Sequence, residues 1–81
     1  MNAIKAMERT VKLAFDRKME GKGSLNYAHI AGMLIHMQTE EFSYGKQCRW
    51  LGWAQAAVVA SGCATLDDMK EINRANSKDI D

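Results

Sequence analysis

Apolar residues return at spacings of three and four through almost the whole chain, and no proline interrupts them. That period belongs to amphipathic helices, and six glycines supply the breaks instead. We therefore expect an all-α fold, a compact bundle of four helices. The first is predicted over 3–20, on a stripe of Ile4, Met7, Val11, Ala14 and Phe15, with Leu13 on the opposite side. Glu8 and Lys12 are spaced as an i,i+4 ion pair. Gly21-Lys22-Gly23-Ser24 reads as a turn. A second helix follows over 25–38, capped by Ser24 or Asn26. It is apolar nearly all round, which places it at the centre of the bundle, with Ile30 and Leu34 in the core. Its one weakly polar strip is His29, Gly32 and His36.

Ser43 is the expected cap of a third helix over 44–61. Gly62 fits the left-handed position that closes a helix, and Cys63 can fold back onto Val58. Thr65 and Asp68 have capping-box spacing, with Asp in place of the longer Glu. They open a fourth helix over 66–75 on Leu66, Met69 and Ile72. The 81 residues make one domain over 1–76, with 77–81 expected as a frayed tail. A chain this short buries only about 60% of its unfolded surface. Any apolar face beyond that thin core is therefore informative.

Several function classes fall away. With 11 basic and 10 acidic residues the net charge is +1, without the basic excess of a dedicated nucleic-acid module. No apolar run is long enough to span a membrane. The charged, amphipathic start does not read as a signal peptide, so a cytoplasmic location is expected. His29 and His36 lie two turns apart, about 10 Å along a helix, too far to share one metal ion. No metal and no cofactor are expected. Cys48 and Cys63 are separated by a helix about 22 Å long, whereas a disulfide needs Cα atoms within about 7 Å. They read as two buried thiols. Gly21-Lys22-Gly23-Ser24 lacks the strand and spacing of a phosphate loop. The pairs Glu40-Glu41 and Asp67-Asp68 fall at helix ends. No catalytic constellation emerges, and the protein is not expected to be an enzyme.

Helix three is the most informative segment. One face carries Tyr44, Cys48, Leu51, Gln55 and Val58; the other carries Lys46, Arg49, Trp50, Trp53 and Ala57. A smooth strip of Gly45, Gly52 and Ala56 runs between them and would let another helix approach closely. Lys46, Arg49, Trp50 and Trp53 are the candidate partner-binding residues, since Trp and Arg are enriched at interface hot spots. The alternative buries helix three on two sides, between helices one, two and four. Helices two and three could also form a helix-turn-helix presenting Lys46, Gln47, Arg49 and Gln55. Glu40 and Glu41 in its turn would repel phosphate, and the second half of helix three is too apolar for a wet groove.

The segment Gly45-Lys46-Gln47-Cys48-Arg49-Trp50-Leu51-Gly52-Trp53-Ala54-Gln55, then Gly62, then Thr65-Leu66-Asp67-Asp68-Met69-Lys70-Glu71-Ile72-Asn73-Arg74, resembles small accessory (early) proteins of tailed bacteriophages. These resemble one another in a Lys-x-x-Arg-Trp-Leu-Gly-x-x-Gln block. The resemblance covers residues 43–75 and leaves out the first helix. It implies a phage origin and a part in takeover of a bacterial host, and it assigns no catalytic residue. The resulting expectation is a non-catalytic protein that binds and modulates or inhibits a host protein, such as a defence or nucleic-acid-processing factor, in the host cytoplasm. The second reading is a small DNA-binding or transcription-regulating module. The third is a self-associating homo-oligomer.

Overall fold

The computed structural model describes residues 1–77. Among them the chain forms four α-helices: α1 (Ala3–Asp16), α2 (Tyr27–Thr39), α3 (Tyr44–Ala60) and α4 (Leu66–Ala75). A single 3-10 turn occupies Gly23–Leu25. Beyond Ser77 the expected frayed tail lies outside the described residues. No described helix is long and apolar enough to cross a membrane.

Each helix starts where a side chain can satisfy an orphan backbone N–H. Asn2 Oδ1 accepts from the Lys5 N–H at 3.0 Å, Asn26 Oδ1 from His29 at 2.8 Å, and Ser43 Oγ from Lys46 at 3.1 Å. Asn26 is thus the cap of α2, and Ser24 is taken up in the 3-10 turn before it. At α4 the capping box closes in both directions. Thr65 Oγ1 accepts from the Asp68 N–H at 3.1 Å, and Asp68 Oδ2 accepts from the Thr65 N–H at 2.9 Å.

The ends follow backbone conformation. Gly62 adopts φ 84° after α3, and Cys63 Sγ donates to the Val58 carbonyl at 3.8 Å, as the sequence suggests. The first helix stops earlier than expected, at Asp16 rather than residue 20. Lys18 takes a left-handed conformation with φ 54°. The Met19 N–H bonds the Ala14 carbonyl at 2.9 Å, and the Lys18 N–H bonds Phe15 at 3.1 Å. This is a Schellman closure with lysine where glycine is usual. It turns Met19 back into the core, where only 7% of it is exposed. Gly21 is then needed for space, because a Cβ there would lie 2.0 Å from the Leu25 carbonyl oxygen.

The centre of the bundle is α1, not α2. Its buried face is Ala3, Ala6, Met7, Thr10, Val11 and Ala14, largely small side chains. Over that low surface α2, α3 and α4 all pack against α1. Leu13, placed opposite the stripe by spacing, is half-buried against the core, whereas Phe15 is 64% exposed with Tyr27 as its ring partner. The α1 face is rotated relative to the predicted one because it serves three neighbours. Glu8 does not pair with Lys12; Lys12 pairs with Asp16 at 3.0 Å and Glu8 accepts from Gln38 at 2.9 Å. From α2 only Ile30, Met33 and Met37 are buried, and Leu34 packs half-buried against the core. Leu66, at the first turn of α4, is exposed, leaving Met69 and Ile72 as that helix's core residues.

One polar knot crosses this core. Gln55 Nε2 donates to Asn73 Oδ1 at 2.8 Å and to Thr10 Oγ1 at 3.2 Å, and Asn73 Nδ2 donates back to Gln55 Oε1 at 3.1 Å. Thr10 passes its own proton to the Ala6 carbonyl at 2.8 Å. The knot fixes the register of α1, α3 and α4, because a buried amide left unpaired is costly. A second tie lies at the surface. Arg17 Nη1 reaches both Asp68 Oδ2 at 2.8 Å and the Cys63 carbonyl at 3.2 Å.

Two predictions follow from these ends. A non-glycine residue in the left-handed region costs roughly 1–2 kcal/mol. Lys18→Gly should raise the thermal midpoint by a few degrees, about 0.5–1 kcal/mol after glycine's own entropy cost; an unchanged or lower midpoint would contradict the strain at this position. The backbone N–H of Thr65, then Arg17, hold the Asp68 carboxyl below its usual range. A depressed folded-state pKa adds stability above the unfolded-state value, lost as pH falls through the folded one. In melts from neutral to strongly acidic pH, wild type should exceed Asp68→Asn at neutrality. The gap should close below about pH 4; a pH-independent gap would show that the charge is immaterial.

Candidate functional site: the groove between α2 and α3

Because α2 and α3 each lean on α1, they touch one another only lightly, and an open groove of about 760 Å³ runs between them. The α2 wall is the strip that reads as weakly polar in the sequence: His29, Gly32 and His36, with Ala28 beside it and buried Met33 at its base. The α3 wall is Arg49, Trp50 and Trp53. The rings meet across the gap edge to face. His29 stands 5.3 Å from Trp53 and His36 stands 6.3 Å from Trp50, centroid to centroid. Edge-to-face geometry aligns the positive ring edge with the negative ring face.

One end of the groove is closed by Phe42, in the connection before α3. Its ring lies 4.8 Å from Trp50 at 72°. The Lys46 ammonium sits 4.1 Å from the Phe42 centroid and 5.4 Å from that of Trp50. This is cation–π range, so the charge is held over the rings rather than free in water. His36 Nδ1 pairs with the Glu40 carboxylate one turn further along α2. Arg49 is exposed, and among the described residues it has no carboxylate partner.

The four predicted site residues therefore share one wall. Arg49, Trp50 and Trp53 line the groove, and Lys46 lies over its aromatic end. Trp53 is 39% exposed and Trp50 is half-buried. The opposite wall and Phe42 are additions from the structure. The signal for Phe42 was its place just before the Ser43 cap, a position from which apolar residues commonly pack onto the new helix. Ala57, expected beside the tryptophans, is buried in the core.

Gly32 has no reason inside the molecule. A Cβ there would meet nothing within 4 Å, so no described neighbour requires a glycine at this position. A glycine within a helix costs roughly 0.5–1 kcal/mol relative to alanine. What its missing side chain does is keep the groove floor low. Gly52, in the smooth strip of α3, likewise faces open space, beside a smaller apolar hollow of about 470 Å³ between α3 and α4; no described helix covers it.

Cys48 and Cys63 are free and only half-buried, so the expectation of two buried thiols is corrected. Both lie at the rim of the core, as α3 runs unbroken over 17 residues. Among the described residues no three His, Cys, Asp or Glu side chains converge as a metal site would require. Compared with protein families, curated proteins and solved structures, the chain shows no match to any of them.

The two tryptophans should separate in mutagenesis. Trp50 packs on Phe42 and the core, so Trp50→Ala should lower stability by about 2–4 kcal/mol. Trp53→Ala, at the exposed wall, should lose about 1 kcal/mol or less. Paired thermal melts measure both, and equal losses would place Trp53 in the core.

Proposed function

We propose that the protein is a non-catalytic binding module that captures another protein through the α2–α3 groove. The carrying observation is that Arg49 and Trp53 stand exposed along an open groove of about 760 Å³. Tryptophan supplies buried area on contact, and arginine supplies directed, charge-assisted hydrogen bonds. The groove presents rings, a guanidinium and an ammonium, which are recognition groups. The resemblance of residues 43–75 to accessory proteins of tailed bacteriophages supports a bacterial host protein as the partner, one whose activity in defence or nucleic-acid processing is modulated or inhibited.

The test is capture of the partner from bacterial lysate with nuclease present, followed by titration of the purified partner. Arg49→Ala and Trp53→Ala should each weaken binding by about 2 kcal/mol or more, roughly thirtyfold, with the melting curve of Trp53→Ala close to wild type. Affinities unchanged in both variants would remove the groove from the interaction. Capture lost on nuclease treatment would point to nucleic acid instead.

A further inference from the structure

The groove's charge says what kind of segment it takes. Its lining includes Arg49, His29 and His36 and no carboxylate. Lys46 adds a second full positive charge over the aromatic end. Of the acids that flank this end in sequence, Glu40 is engaged by His36, and Glu41 stands exposed just before Phe42. The chain as a whole is almost neutral, at +1, whereas the groove's own lining carries the Arg49 charge with no carboxylate to offset it. A partner placing carboxylates there gains complementary charge and on-rate, and Arg49 can hold one of them through two parallel hydrogen bonds.

Shape narrows the occupant further. Between Ala28 and His36 the α2 wall runs about two helical turns, roughly 12 Å. Trp50 and Trp53 are one turn apart on the facing wall. The floor at Gly32 has free space where a side chain would be. The His29–Trp53 and His36–Trp50 ring pairs bridge the walls on either side of Gly32, and the opening left there suits an apolar side chain presented by a third helix laid across the rim.

Resting on the docking role proposed above, we infer that the α2–α3 groove binds an acidic amphipathic helix of a partner protein. An apolar anchor of that helix sits over Gly32 between Trp50 and Trp53, and flanking Asp or Glu side chains meet Arg49 and Lys46. Gly32 is the residue that admits the anchor; a Cβ placed there would meet nothing within 4 Å, so a side chain at this position grows into the anchor's space.

The test uses the full chain and a displayed library of randomised 14-residue helical peptides, with the Gly32→Leu variant as counter-target. Selected peptides should be enriched in Asp and Glu beside an apolar i, i+3 or i+4 pair. A synthetic copy should shift the indole N–H signals of Trp50 and Trp53. Replacing its Asp and Glu by Asn and Gln should weaken it at least tenfold, as should Arg49→Glu. Gly32→Leu should abolish binding with its melt unchanged or raised; if that variant melts early, the exposed Arg49→Glu carries the comparison. An empty pool, a pool without acidic enrichment, or equal binding of the amide form overturns the inference. If such non-acidic peptides still need an open Gly32, the groove remains a protein-docking site. Peptides that bind Gly32→Leu as well as wild type overturn both. A single-stranded oligonucleotide that shifts the two indole signals at lower concentration than the peptide overturns it in favour of nucleic acid.

Discussion

Everything in this small fold depends on the low, alanine-rich face of α1. Ala3, Ala6, Thr10 and Ala14 bring its backbone close to its neighbours, while Met7 and Val11 fill the spaces between them. A helix with larger side chains on that face could hold one partner well, and holding three would demand more surface than the chain has. The hub arrangement is how a short chain reaches a shared core. It also explains why α2 and α3, both anchored on α1, meet each other so sparingly. The groove is a geometric by-product of the hub.

The polar contacts guard this arrangement from two directions. In the Gln55–Asn73–Thr10 knot Gln55 and Thr10 are buried, Asn73 is half-buried and the three bond one another, so it favours one register among the helices that share it. Arg17 and Asp68 tie the end of α1 to the start of α4 outside the core. Exposed ion pairs such as Lys12–Asp16 add little by comparison. Of these, the buried knot does most to specify the fold, because its disruption leaves amides without partners.

Local features were legible in the sequence and long-range ones were not. The caps at Ser43 and Thr65 and the glycine stop at Gly62 depend on residues within one turn, and periodicity located all four helices. The stop at Lys18 carried no signal, since lysine rarely adopts that conformation. The continuous apolar character of α2 pointed to a central helix, yet Ile35 stands 59% exposed and only three of its residues are buried. Burial of α2 was a tertiary question that α1's small side chains decided. At the candidate site, spacing alone grouped Lys46, Arg49, Trp50 and Trp53, and it recorded the His29–Gly32–His36 strip. That the two face one another could be known only once α1 had set their separation.

A consequence follows for how the groove can be tuned. Its walls are mounted on a common spindle, so their spacing is set by the thickness of the α1 side chains behind them. Ala6 and Ala14 have no exposed surface and no room to grow. A single methyl added at either would act as a shim, prising α2 and α3 apart from the rear without altering any residue in the groove. The calibre of the groove is thus encoded away from its walls, and variation in α1 can alter it while the ring-bearing walls stay constant.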